Sequence, residues 1–273
     1  MKKQMVLSTV AAVGALSVLL SLPVRQASAQ TVFQAAGPDA PSIQSTVDAY
    51  RAALGDPNNL NLARTALADP TKGRREINWD GGGANDTTDP PVTPFNVFRN
   101  TRGAQFTTPG TGLSQAPPSG GPQGGLATLF NNPTYGDIFS TFSAKRLFTP
   151  VGSRFTEGLF FVPGTNGGVP AAVTGFGAVF TDVDEPDASH ETKSREHSTK
   201  IEYFDADGHR LFTGFVPASP GDGSLSFFGI VFDDPLIARV RITTGESRPG
   251  PNDDKKDIVM MDDFIYGEPQ PLP

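Results

Sequence analysis

From Gly73 onward, apolar side chains recur at every second position in short runs, and glycine, proline, asparagine or aspartate separates one run from the next. The runs are Arg75 to Trp79, Gly103 to Thr107, Asp137 to Phe142, Lys145 to Phe148, Gly158 to Val162, Val173 to Thr181, Thr199 to Asp205, Leu211 to Val216, Leu225 to Phe232, Arg239 to Thr243 and Ile258 to Tyr266. A period of two puts alternate residues on opposite faces of a strand, so each run predicts a strand with one face in a core. No stretch of helical period lies between them, and short strands at close spacing predict an all-β fold. The expected architecture is an antiparallel β-sandwich of jelly-roll or Greek-key type.

Before Arg74 the period changes. Ile43, Val47, Tyr50 and Leu54 recur at helical spacing between Ser42, a candidate cap, and Gly55, a candidate stop. A weaker helical stretch over Leu60 to Leu67 ends before Asp69 and Pro70. Neither has the apolar surface to fold alone, so residues 30–73 read as a short N-terminal helical leader onto a sandwich over 74–269, with 270–273 a tail. Residues Met1 to Ala29 read as a secretory signal peptide: Lys2 and Lys3 precede an apolar run from Met5 to Leu22, and Ala27-Ser28-Ala29 offers small residues for cleavage. The expected location is therefore secreted or periplasmic, with no transmembrane anchor after cleavage.

Composition narrows the partners. Removing Lys2, Lys3 and Arg25 with the signal takes the 22 basic residues to 19 against 29 acidic ones, a formal charge of −10. Nucleic acid and anionic membrane are excluded as natural partners. There is no cysteine, so an exported chain of this kind relies on packing, hydrogen-bonded strands and a bound ion rather than disulfides. Ten of the seventeen residues from Pro109 to Gly125 are glycine or proline, which predicts a long exposed loop. A second expected loop, Asp184 to Ser198, carries mixed charge and two of the three histidines, with none of the spacing of a helical zinc motif.

Two groups of residues are candidates for chemistry. Asp182, Asp184, Asp205, Asp207 and Asp263 stand at strand ends or within the last strand, and hard carboxylate oxygens suit a structural calcium ion. Strict alternation along Ile258 to Tyr266 puts Asp262 and Asp263 on opposite faces, so one of them points into the core and needs a partner. Asp205-Ala206-Asp207-Gly208 also reads as a hairpin turn. The other group is Trp79, Asp80 and Asn85, where the only tryptophan stands beside polar residues and a glycine turn, the setting of a sugar-stacking platform. The same alternation places Trp79 on the face of Ile77, which favours the core. No serine-hydrolase elbow, phosphate-binding loop or dinucleotide fingerprint occurs.

Arg-Glu-Ile-Asn-Trp-Asp-Gly from Arg75 to Gly81, Arg146 to Gly152, Phe176 to Asp184, Phe227 to Phe232 and Met-Asp-Asp-Phe-Ile-Tyr-Gly-Glu-Pro from Met261 to Pro269 together resemble an uncharacterised family of exported bacterial proteins. That resemblance implies no activity. More loosely, the final strands resemble galactose-binding-like jelly-roll modules, which implies glycan recognition through loops at one end and a structural calcium. The resulting expectation is a secreted, non-enzymatic module that binds glycan or cell-surface polymer through Gly81 to Pro94 and Pro109 to Gly125. A structural envelope protein without a small ligand, and a polysaccharide hydrolase, are the alternatives.

Overall fold

The computed structural model describes residues 29–81, 86–184, 198–251 and 256–273. The expected signal segment, apart from Ala29, lies outside the described residues, as do Asn85 and most of the charged loop after Asp184. Two antiparallel sheets pack face to face, as the alternating runs predict. The first contains β1 (Gln30–Gly37), β2 (Arg74–Ile77), β4 (Gly112–Ala116), β5 (Leu147–Val151), β8 (Gly175–Thr181), β11 (Leu225–Phe232) and β13 (Met260–Gly267). The second contains β3 (Ala104–Thr107), β6 (Phe155–Phe161), β7 (Pro170–Ala172), β9 (Lys200–Phe204), β10 (Arg210–Phe215), β12 (Arg239–Thr243) and β14 (Gln270–Pro271).

In the first sheet the order is β1-β11-β8-β13-β5-β4, and β2 shares with β5 the edge of β13 that faces away from β8. In the second it is β10-β9-β12-β6-β7-β14, with β3 also on β6. The central core lies between the sheets and is dominated by rings, among them Phe106, Phe148, Phe176, Phe264 and Trp79.

The first sheet is covered on its other face too. There α1 (Ala40–Leu54) lays Ile43, Val47, Tyr50 and Leu54 against Val179, Leu225, Phe227 and Ile265. Its start is capped by Asp39, whose carboxylate accepts from the Ser42 amide at 3.0 Å, and Gly55 ends it at φ 92°. Two one-turn helices, α2 (Gly125–Leu129) and α3 (Tyr135–Ile138), cover a neighbouring part of that face with Leu126, Phe130, Tyr135 and Phe139. A sheet covered on both faces has no solvent face to encode, which is why β8, β11 and β13 read as nearly continuous apolar runs.

Several expectations need correction. The leader is helical only over α1 and a 3-10 turn at Arg64–Ala66; Gln30–Gly37 instead pairs along its whole length with β11. Pro109 to Gly125 is not one exposed loop, because Gly112–Ala116 pairs with β5 and is buried throughout. The run Asp137 to Phe142 is no strand: its first two residues belong to α3, and Tyr135 and Phe139 pack in a tilted arrangement with centroids 5.0 Å apart around that turn. The tail adds β14 to β7. Strict alternation also fails in β13, where a bulge between Met261 and Phe264 resets the phase, so that Val259, Met261, Phe264 and Tyr266 all face the central core.

Candidate functional site

A cleft of about 570 Å³ opens beside the C-terminal end of β2, within the size range of ligand sites. Phe95 and Phe98 give it an apolar floor, and Asn61, Asn78, Asn96 and Gln115 bring four carboxamides to its wall. Gly81, Thr88 and Val92 come from the loop expected to bind, and Gln115 from the second expected segment. Gln115 donates from Nε2 to the Gly81 carbonyl at 3.2 Å, while its buried Oε1 has no protein partner. Arg102 donates from Nε to Asn61 Oδ1 at 2.9 Å and lies over the Phe98 ring at 5.6 Å.

The wall is held by the two motifs of the sequence. β2 pairs with β13 from Ile77 opposite Phe264 to Arg74 opposite Gly267, and Arg75 and Glu268 meet as a fully buried bidentate pair at 2.6 and 2.8 Å. The remaining Arg75 nitrogen, Nη1, donates to the carbonyls of Leu60 and Leu62 at 2.8 Å and of Thr101 at 3.1 Å. One guanidinium thus fixes both segments that carry Asn61 and Thr101 to the cleft.

Of the three expected ligand-binding residues, the two that are described, Trp79 and Asp80, do not form a platform. Trp79 is fully buried, stacked on Phe148 with centroids 3.7 Å apart, and donates from Nε1 to the Asp262 carbonyl at 3.1 Å. Its φ of 62° turns the chain out of β2 while the ring stays in the core. Asp80 accepts the Arg146 amide at 3.1 Å through Oδ1 and the Asn78 amide nitrogen at 3.2 Å through Oδ2, which anchors the loop; burial pushes its carboxyl up. Asn85 lies outside the described residues. Asn78 and Gly81, the neighbours of Trp79 and Asp80, line the cleft instead.

The five aspartates expected to hold a cation are divided among three places. Asp182 and Asp184 follow β8, beside Asp222 and Asp257. Asp205 and Asp207 close the β9–β10 hairpin at the far end of β9, roughly 16 Å along the strand from its start. Asp205 Oδ1 accepts the amides of Asp207 and His209 at 3.0 and 2.9 Å, and Gly208 takes φ 83°, so the hairpin reading accounts for these residues. Partial burial pushes the Asp205 carboxyl up, but the His209 amide and imidazole and the Asp207 amide outweigh it and hold it below the ordinary value.

Asp263 faces α1. Both it and Asp262 are buried because the bulge puts the two side chains in the seam between β13 and the Phe142–Ser143 segment. Ser143 donates from Oγ to Asp263 Oδ1 at 2.6 Å, Arg51 stands 3.6 Å from Asp263 Oδ2, and the Phe142 amide donates to Asp262 Oδ2 at 2.6 Å. Protein groups therefore supply the partner that a buried Asp263 needs.

Burial raises both carboxyls, and the negative charge of Asp263 raises Asp262 further. A carboxyl whose folded pKa lies above its unfolded one stabilises the fold fully below the unfolded value, about 3.9, and loses that contribution as pH rises through the folded value. Asp262→Asn keeps a donor toward Asp263 and an acceptor for the Phe142 amide. In urea unfolding from pH 4 to pH 8 the variant is expected to match the wild type at pH 4 and to exceed it increasingly above, by about 1 to 3 kcal/mol at pH 8. A constant difference across that range contradicts the raised carboxyl of Asp262.

Fold and cleft together define an all-β sandwich with a carboxamide-lined cleft at the edge shared by its two motifs. No family model, curated protein or solved structure matches the chain. Among the described residues, no helix is long and apolar enough to cross a membrane.

Proposed function

We propose that the chain is an exported, non-enzymatic sandwich module that binds a glycan in the cleft between Gly81 and Gln115. The observation that carries this reading is the lining itself: Asn61, Asn78, Asn96 and Gln115 with Thr88, Thr101 and Arg102, set among the apolar side chains of Val92, Phe95, Val97 and Phe98. Carboxamides donate and accept at once, which matches hydroxyl groups, and an apolar floor matches the C–H face of a sugar ring. Among the described residues the lining has no carboxylate, and the paired carboxyls of glycosidic hydrolysis are its basic requirement, which favours binding over cleavage. The signal-like N-terminus supports export.

The rings of Phe95 and Phe98 lie 6.1 and 5.7 Å from Trp79, so the single tryptophan reports on the cleft floor from within the core. Titration with oligosaccharides is expected to give a saturable change in tryptophan emission. Asn96 is exposed, and Asn96→Ala is expected to weaken that response at least tenfold while leaving the thermal midpoint unchanged. Emission that stays flat across neutral and acidic oligosaccharides contradicts the proposal.

A further inference from the structure

We propose that the loop junction at the end of β8 is a calcium site centred on Asp182, with Asp184, Asp222 and Asp257 completing its acidic shell and Ser224 contributing a hydroxyl. The proposal does not depend on glycan binding. Asp182 leaves β8 at φ 65°, a left-handed backbone that strains a non-glycine residue, and its amide donates to the Ser224 carbonyl at 3.1 Å. Its side chain is 6 % exposed, and Oδ1 has no hydrogen-bond partner. The Ser224 hydroxyl, on the residue that accepts the Asp182 amide, is 3 % exposed and also without a partner. Two buried oxygens, one of a carboxyl and one of a hydroxyl, thus stand unpartnered on adjacent chain segments. Leaving such groups unsatisfied is costly, and native folds rarely do so without a ligand.

The surroundings specify the ligand's charge. Asp184, Asp222 and Asp257 stand close to Asp182, so the junction gathers negative charge around its buried carboxyl. The three loops are already tied together through this cluster: Asp184 Oδ1 accepts the Gly221 amide at 3.0 Å, and Asp257 Oδ1 accepts the Asp184 amide at 3.3 Å. All the donors are oxygens, which selects a hard cation, and a flexible shell of carboxylates, hydroxyl and water fits the six to eight ligands of calcium better than the rigid octahedron of magnesium. Among the described residues only Asp205, Asp207 and His209 bring three ligand atoms within 4.8 Å of one another. Closure around Asp182 therefore involves rotation of the exposed Asp222 and use of the second oxygen of Asp184, whose Oδ1 is held by the Gly221 amide. The Asp205 group, by contrast, has no orphaned oxygen, since its carboxylate closes the hairpin.

The test is the thermal midpoint of the whole exported chain at pH 7, in excess EDTA and then in millimolar calcium chloride, with calorimetric titration of calcium. Calcium at a hundredfold excess over Kd is expected to raise the midpoint by roughly 5 to 10 °C. Asp182→Asn is expected to abolish the rise and, by replacing a buried ionisable carboxyl among acidic neighbours with a neutral carboxamide, to melt in EDTA at or above the wild-type midpoint; Asp205→Asn is expected to keep the full rise. If Asp182→Asn does not fold, the exposed Asp222→Asn takes its place and is expected to bind calcium at least tenfold more weakly. No calcium response in the wild type, a response retained in Asp182→Asn, or unchanged affinity in Asp222→Asn overturns the proposal.

Discussion

Replacing Glu268 by alanine is expected to lower the unfolding free energy by about 3 to 5 kcal/mol, measured by urea unfolding at pH 7. The Arg75 guanidinium is fully buried, and among the described residues Glu268 is its only carboxylate partner, held by two parallel hydrogen bonds. With Glu268 gone, a desolvated cation is left facing carbonyl groups that satisfy hydrogen bonds but not charge. The effect should reach the cleft, because the same guanidinium holds Leu60, Leu62 and Thr101 in place through their carbonyls. Arg75→Met combined with Glu268→Leu removes both charges at once and is expected to recover a large part of the stability without restoring the cleft wall. A loss below 1 kcal/mol for Glu268→Ala would mean that water reaches the pair.

Trp79→Ala is the second large effect, with an expected loss of about 3 to 5 kcal/mol. Trp79 packs flat on Phe148 and edge-on to Phe95, Phe98, Phe106 and Phe264, so its removal opens a cavity among rings that cannot all close in. Trp79→Phe keeps most of the volume but leaves the Asp262 carbonyl without its indole donor, with an expected loss of about 1 to 3 kcal/mol. The left-handed backbone at Trp79 adds to the argument: burial of the ring must offset that strain. If Trp79→Ala unfolds at the wild-type urea midpoint, the ring is not in the core.

Much of this architecture is legible in the residues, and the failures have physical causes. The helical period of Ile43, Val47, Tyr50 and Leu54 marks α1 because one face of a helix must meet the sheet, and all four are buried. Leu225 to Phe232 and Arg239 to Thr243 coincide with β11 and β12. Gln30–Gly37 escapes because it is an edge strand with mostly exposed residues, so its hydrogen bonds to β11 leave little trace in hydropathy. Gly112–Ala116 is hidden among the turn-formers on both sides of it. The phase of β13 is invisible because a bulge leaves no compositional mark and shifts every later side chain to the other face.

The site was legible only in outline. Both loop segments expected to bind reach the cleft, but Asn61, Asn96, Thr101 and Arg102 come from segments that only the tertiary fold brings together. The alternation that sets Trp79 on the face of Ile77 points it into the core, and there it packs behind Phe95 and Phe98. Asp182 and Asp184 were recognisable at a strand end, whereas Asp222 and Asp257 join them only once β8, β11 and β13 are side by side.

The most direct test of the central claim, that the cleft beside β2 binds a glycan, is a glycan array probed with the wild-type protein and with Asn96→Ala in parallel. Retention on one structural class of glycans by the wild type, lost in the variant, is the predicted result. Retention on no glycan, or equal retention by both proteins, contradicts the assignment of the cleft.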